Sequence, residues 1–191
     1  MEAFLYSTLG VAWAEIGDKT QLLALFLAAR FTQKNAIAAG IFAATLLNHL
    51  VSAWLGVWLA ENVSADMMKW VVGLSFIAVG LWLLRPDNDG APDSRWLEFG
   101  AFGATAMLFF LAEIGDKTQI ATVLLAAKYE SLYAVVAGST VGLMLANLPV
   151  VYFGNALMKK LPARAVRTGA CVLFCVMGVL TLAGGGLSLP H

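Results

Sequence analysis

Charged residues are scarce in this chain, and their scarcity excludes most classes of soluble protein. Only 13% of the 191 residues are charged, against roughly 25% in soluble domains. Lysine plus arginine and aspartate plus glutamate each number 12, so the formal net charge is zero. A nucleic-acid-binding protein would carry a basic surface, and this balance does not provide one. With 60% hydrophobic residues, the composition is that of a membrane protein with little soluble mass.

Histidine and cysteine are also rare, with two of each. Cys171 and Cys175 lie four residues apart in the last apolar run, which predicts packing residues on one helix face and no disulfide framework. His49 is the one histidine inside the chain, so a zinc or copper site built from histidine and cysteine is not expected. We interpret His49 as a packing residue, with a direct role in a metal site as the alternative.

Long apolar runs fill most of the sequence, and their lengths indicate the fold class. A helix needs about 20 apolar residues to cross roughly 30 Å of hydrocarbon. The runs therefore predict an all-α membrane protein surrounded by the lipid bilayer, with no room for a separate catalytic domain. The six predicted transmembrane helices lie near residues 3–29, 36–60, 67–84, 97–127, 132–157 and 165–187.

The octet Ala-Glu-Ile-Gly-Asp-Lys-Thr-Gln occurs twice, at Ala14–Gln21 and at Ala112–Gln119, called here the first and second motifs. The same offset of 98 residues aligns several glycines between the two halves. The chain is thus predicted to hold two three-helix repeats, 1–85 and 97–191, joined by a polar linker, 86–96. Because three is odd, the second repeat enters the membrane from the opposite side, and the repeats are inverted. Sites in such proteins lie near the membrane midplane, between the repeats.

Positive residues in the predicted loops indicate the orientation. Eight lie on one side and two on the other, so the positive-inside rule makes the first side cytoplasmic. Both termini are then outside, and the linker 86–96 is cytoplasmic. Met1–Ala3 lacks the positive region of a signal peptide, so we expect a multi-pass protein of the bacterial inner membrane. The eight residues are Arg30, Lys34, Arg85, Arg95, Lys159, Lys160, Arg164 and Arg167, and the two are Lys69 and Lys128.

The motifs place ionisable residues at membrane depth, where charge is costly and usually functional. In a continuous helix, Glu15, Asp18 and Gln21 would follow at intervals of about 60° and form one stripe of oxygen-bearing side chains. Gly17 would let a neighbouring helix come close or let the helix unwind. Two facing stripes suit a hard divalent cation such as Mg²⁺, Mn²⁺ or Ca²⁺. The predicted metal ligands are Glu15, Asp18, Gln21, Glu113, Asp116 and Gln119, supported by Gly17, Lys19, Thr20, Asn48, Gly115, Lys117, Thr118 and Asn147.

The charges of the motifs suggest how transport is coupled. When ionised, the four acids carry −4 and the two lysines +2, and the remaining −2 equals the charge of one divalent cation. Without the ion, the cluster should take up protons, because low dielectric and like charges disfavour ionised carboxylates. Competition between a divalent cation and protons is the minimal basis of an antiporter. The cation is then the substrate, protons are the counter-ion, and no cofactor is required.

Several alternatives remain open at this stage. Glu15 with Lys19 and Glu113 with Lys117 have the i,i+4 spacing of internal ion pairs that only fix helix packing. A divalent-cation channel would share the acidic residues without moving protons in return. The carboxylates could equally export a small organic cation. An intramembrane metal hydrolase is disfavoured, because no nucleophile–base pair accompanies the acids.

The pattern Glu-x-Gly-Asp-Lys/Arg-Ser/Thr, present in both motifs, closely resembles a cation/proton exchanger family. That family contains bacterial manganese exporters and the manganese/calcium transporters of the eukaryotic Golgi and chloroplast. The resemblance covers essentially the whole chain and implies that the motif acids bind the transported Mn²⁺ or Ca²⁺. A chain of bacterial length most resembles a manganese exporter, and this preference for manganese rests on the resemblance alone. A homo-oligomer is compatible with the sequence.

Overall fold

A computed structural model describes residues 1–85, 94–154 and 163–183, and these ranges are helical almost throughout. The short segment Ser94–Phe99 is a 3₁₀ helix that leads directly into α5. The α-helices of the described ranges are α1 (Glu2–Glu15), α2 (Lys19–Arg30), α3 (Lys34–Asn62), α4 (Ala65–Leu83), α5 (Gly100–Glu113), α6 (Lys117–Tyr129), α7 (Leu132–Phe153) and α8 (Ala163–Leu182).

Four helical segments of the described ranges are long and apolar enough to cross a membrane: Lys34–Asn62, Asp66–Leu83, Trp96–Glu113 and Leu132–Phe153. Thr168–Leu182 is a shorter apolar helix. The predicted helices 36–60 and 67–84 agree with α3 and α4 to within a few residues. Those near 132–157 and 165–187 correspond to α7 and α8, and their remaining residues lie outside the described ranges, as does most of the predicted linker 86–96.

The predicted spans 3–29 and 97–127 are each interrupted by a break in the helix. The first is divided into α1 and α2, and the second into the 3₁₀ segment with α5, followed by α6. Both breaks fall inside the motifs, at residues 16–18 and 114–116. The motifs therefore lie where helical hydrogen bonding stops, and backbone groups become available there.

Each broken helix packs on a long helix of the other half. A Cβ added to Gly40 in α3 would lie 2.8 Å from the carbonyl oxygen of Phe102 in the opposite half. A Cβ on Gly138 in α7 would lie 2.4 Å from the carbonyl oxygen of Phe4. These two contacts are related by the offset of 98 residues, and small residues permit such close helix crossings. The pairs α3 with α5 and α7 with α1 hold the two motifs together.

The surface of the described helices is strongly apolar. Soluble monomers rarely expose large contiguous apolar patches, and such patches mark contact with a membrane or a partner. Together with the long apolar helices, this surface identifies a membrane protein. Large exposed side chains include Leu47, Trp54, Trp58, Trp70, Phe99 and Phe153.

The close contact at Gly138 generates a stability prediction. Gly138→Ala should lower the free energy of unfolding by about 1–3 kcal/mol, because the new methyl group would meet the backbone of α1. Gly10→Ala is the matched control, since its Cβ would meet only the ring of Phe174 at 3.6 Å, an ordinary contact. Thermal unfolding in detergent measures both, and equal melting temperatures would contradict the packing described for α7 on α1.

Candidate metal site

The first motif forms a tight turn between α1 and α2. Ile16 has φ −65° and ψ 117°, and Gly17 has φ 81°. The backbone N–H of Asp18 donates to the carbonyl oxygen of Glu15 at 3.1 Å, which closes a four-residue turn. These angles are those of a type II turn, whose third residue needs a positive φ and is therefore usually glycine.

The second motif repeats this turn. Ile114 has φ −63° and ψ 120°, Gly115 has φ 73°, and the N–H of Asp116 donates to the carbonyl oxygen of Glu113 at 3.1 Å. Each aspartate is then the extended N-cap residue of the following helix. The predicted continuous stripe of side chains does not form, because the turn redirects the chain after each glutamate. Local unwinding, the alternative that the glycine allowed, is what the structure adopts.

The glutamine of each motif stabilises the turn. Gln21 Oε1 accepts a hydrogen bond from the Gly17 N–H at 2.8 Å, and Gln119 Oε1 accepts one from the Gly115 N–H at 2.6 Å. Gln21 Nε2 also donates to the carbonyl oxygen of Ala146 in α7 at 2.8 Å. These amide oxygens, predicted as metal ligands, are thus engaged with the backbone of the turn in this structure.

Each threonine fixes one oxygen of the motif glutamate. The Thr20 hydroxyl donates to Glu15 Oε2, and the Thr118 hydroxyl donates to Glu113 Oε2 at 3.0 Å. Both glutamate side chains are fully buried, and their Oε1 atoms have no hydrogen-bond partner among the described residues. A buried oxygen without a partner is costly, so each glutamate offers one acceptor that a cation or a proton would satisfy.

The two motifs meet at one cluster of carboxylates. One oxygen from each of Glu15, Glu113 and Asp116 lies within 4.8 Å of the other two, and all three side chains are buried. Hard divalent cations are bound by such oxygen ligands. The cluster draws on both halves of the chain, so neither motif supplies it alone.

The lysines pair across the two motifs. Lys19 Nζ lies 2.9 Å from Asp116 Oδ1, and Lys117 Nζ lies 3.9 Å from Asp18 Oδ1. The i,i+4 spacing offers pairs of glutamate and lysine within each motif as an alternative, whereas these contacts join each lysine to the aspartate of the opposite motif. Lys117 also donates to the carbonyl oxygen of Arg85 at 3.3 Å, two residues after the end of α4. The cross pairing connects the two turns to each other.

The two asparagines lie beside the broken helices. Asn147 Nδ2 is 3.4 Å from Glu15 Oε2, which places this side chain against the first motif. Asn48 Nδ2 donates to the carbonyl oxygen of Phe110 at 3.2 Å, three residues before the second motif glutamate. Both side chains are buried. His49 follows Asn48, is fully buried, and has no hydrogen-bond partner at either ring nitrogen among the described residues.

Comparison with known families decides what kind of protein carries this site. A family model described as the divalent cation/proton antiporter GDT1 matches residues 3–91 and again residues 101–188. The chain belongs to the GDT1 family. This membership confirms the resemblance inferred from the motifs, and it confirms that the protein is a transporter and not an enzyme.

Individual relatives match nearly the whole chain. A protein of Vibrio cholerae serotype O1 named "Putative manganese exporter" is 46% identical over 182 residues, 95% of this chain and 90% of that protein. GDT1-like protein 5 of Arabidopsis thaliana is 27% identical over 95% of this chain. GDT1-like protein 5 of Oryza sativa subsp. japonica is 28% identical over 90% of it. No solved structure matches the chain.

The turn geometry predicts a graded response at Gly115. Gly115→Ala should cost about 1–2 kcal/mol of stability from its left-handed backbone alone, because no atom lies within 4 Å of the added Cβ. Gly115→Asn should cost less, since asparagine tolerates this conformation better than alanine. Detergent melting curves of the two variants supply the comparison. A higher melting temperature for Gly115→Ala than for Gly115→Asn would argue against the type II turn.

Proposed function

We propose that this GDT1 protein exports Mn²⁺, with Ca²⁺ as a second cargo, from the cytoplasm in exchange for protons. The convergence of Glu15, Glu113 and Asp116 from both motifs carries the proposal, because it offers a divalent cation a buried set of carboxylates. The name of the Vibrio cholerae relative supports manganese as the cargo. The family description supports proton antiport and speaks against a channel.

We place the protein in the bacterial inner membrane as six spans in two inverted three-helix repeats. The broken segments α1–α2 and α5–α6 are each one span with a turn at membrane depth, which transporters tolerate where the backbone lines a site. The close contacts at Gly40 and Gly138, related by the offset of 98, support this repeat. The positive residues of the loops support termini outside and the linker 86–96 in the cytoplasm.

The cross pairing of the lysines supports the coupling. Lys19 offsets the charge of Asp116, and Lys117 offsets that of Asp18. Glu15 and Glu113 remain, each with an unpartnered oxygen. Two carboxylates balance either one divalent cation or two protons, so one ion leaves as two protons enter and the exchange moves no net charge. Asp116 adds a third oxygen while keeping its contact with Lys19, and Asp18, the glutamines and the asparagines assist from around the turn.

Substitution of the glutamates tests this assignment. Glu15→Gln and Glu113→Gln should each abolish Mn²⁺-driven proton flux in proteoliposomes, a loss of at least about 100-fold, because one of the two exchangeable charges disappears. Glu61→Gln is the matched control, since this acid is exposed at the end of α3 and should leave the flux unchanged. A pH-sensitive dye inside the vesicles reports the flux.

Normal coupled flux in either motif variant would refute the assignment. Mn²⁺ entry that persists without any proton movement in the wild type would identify a channel. If an organic cation displaces a bound probe cation at concentrations where Mn²⁺ does not, the result would favour the export of organic cations.

The two half-helices α2 and α6 differ in how they are packed, which supports a state open to one side. A Cβ on Gly56 in α3 would lie 2.2 Å from the carbonyl oxygen of Val123 in α6. Its equivalent at the offset of 98, Gly154, would meet only Leu25 Cδ1, at 4.0 Å. Leu25 is itself the equivalent of Val123. The carbonyl group of α6 therefore lies tight against α3 at Gly56, whereas Gly154, which follows the end of α7 with φ 59°, has no neighbour of α2 so close.

Burial along the half-helices agrees with this difference. Most of α6 is buried, including Ala127, whereas the equivalent Ala29 in α2 is exposed. The segment α6 leads to Lys128, on the side predicted to be outside, and α2 leads to Arg30, on the predicted cytoplasmic side. We assign the structure to a cytoplasm-facing state, in which packing of α6 on α3 closes the outer path.

Cysteine labelling tests the assigned state with this matched pair of alanines. In a background with Cys171→Ala and Cys175→Ala, Ala29→Cys should react with a water-soluble thiol reagent and Ala127→Cys should be protected. Adding Gly56→Leu should increase the labelling of Ala127→Cys several-fold, because the side chain would push α6 away from α3. Equal labelling of the two positions without the leucine would contradict the assignment.

A further inference from the structure

The two halves of the site differ on their long helices, where Asn48 and His49 of α3 correspond to Ala146 and Asn147 of α7. Asn147 in α7 corresponds to His49 in α3 at the offset of 98 residues. Asn147 lies against the first motif, with Nδ2 at 3.4 Å from Glu15 Oε2. The equivalent acid in the second motif is Glu113, whose Oε2 accepts from Thr118 and whose Oε1, like that of Glu15, has no partner among the described residues. By this correspondence, the residue of α3 that would approach Glu113 is residue 49.

Contacts along α3 place His49 at the level of the second motif without reference to the repeat. Asn48, one residue earlier, donates to the carbonyl oxygen of Phe110 in α5. Gly56, seven residues later, lies against Val123 in α6. Between these two contacts the opposing chain passes from the end of α5, through the turn of the second motif, to α6. Residues seven apart share a helix face, so His49 lies on the face of α3 that meets α6.

The environment of His49 differs from that of a packing histidine. The residue is fully buried, and among the described residues neither Nδ1 nor Nε2 has a hydrogen-bond partner. Buried polar groups in native proteins are usually paired, and an exception calls for an unseen partner such as an ion. Neutral imidazole is a ligand for transition metals, whereas Ca²⁺ and Mg²⁺ take oxygen ligands.

We propose that His49 is a nitrogen ligand of the transported ion and selects Mn²⁺ over Ca²⁺. The inference rests on the proposed function and deepens it, since the carboxylates alone provide only oxygen. Glu15, Glu113 and Asp116 converge within 4.8 Å without the histidine. The imidazole completes the coordination shell from α3 when the ion enters. The carboxylates thus come from both motifs, whereas the nitrogen donor comes from α3 alone.

Pulsed electron paramagnetic resonance of Mn²⁺ bound to the full-length protein in detergent tests the proposal. The wild type labelled with ¹⁵N-histidine should show magnetic coupling of ¹⁵N to Mn²⁺, and His49→Asn should lose it. Asparagine is the residue at the equivalent position 147, so the fold should accept it. The preference for Mn²⁺ over Ca²⁺ in competition binding should fall by roughly tenfold or more in His49→Asn.

Thr45→Ala is the control for a buried polar change on the same helix. Thr45 is fully buried and its hydroxyl has no hydrogen-bond partner among the described residues, yet it lies one turn away from His49, towards Gly40. The Thr45→Ala variant should keep the wild-type preference for Mn²⁺ over Ca²⁺. A wild type that binds Mn²⁺ without nitrogen coupling, or a His49→Asn variant with an unchanged ion preference, would overturn the role of His49 and leave the exchanger intact. A wild type that binds neither ion would overturn both proposals.

Discussion

The candidate site depends on two glutamate side chains that are fully buried in an apolar interior. Glu15 and Glu113 each have one oxygen bound by a threonine and one without a partner among the described residues. In low dielectric such oxygens are satisfied by a cation or a proton, and burial makes an empty, ionised state costly. The other features of the motifs hold these two carboxylates together or offset the charges around them.

Each residue of the motif after the glutamate has a structural role in this arrangement. Isoleucine and glycine form the type II turn, aspartate begins the next helix, and glutamine bonds the glycine N–H. Lysine reaches the aspartate of the opposite motif, so the two turns are joined as one unit. The turn residues thus cooperate with the packing of α1 on α7 and of α5 on α3. The cluster of carboxylates therefore draws on both copies of the motif in this chain of 191 residues.

Much of this arrangement was predictable from the sequence, and the failures have physical reasons. The apolar runs predict the long helices, and the duplicated octet identifies the acids. The stripe of Glu15, Asp18 and Gln21 assumed a continuous helix, although Ile16-Gly17-Asp18 is compatible with a type II turn that ends one helix and starts another. The pairing of Lys19 with Asp116 depends on how the two halves pack, and helix spacing within one motif does not contain that information. The roles of Thr20 and Gln21 in the turn follow only once the break is known.

The central claim is that the two motifs form one cation site, and calorimetric titration of Mn²⁺ into the purified protein tests it most directly. The account predicts one ion per chain, with binding lost in Glu15→Gln and equally lost in Glu113→Gln. Two ions per chain, with each substitution removing one and leaving the other, would show two separate sites and contradict the account.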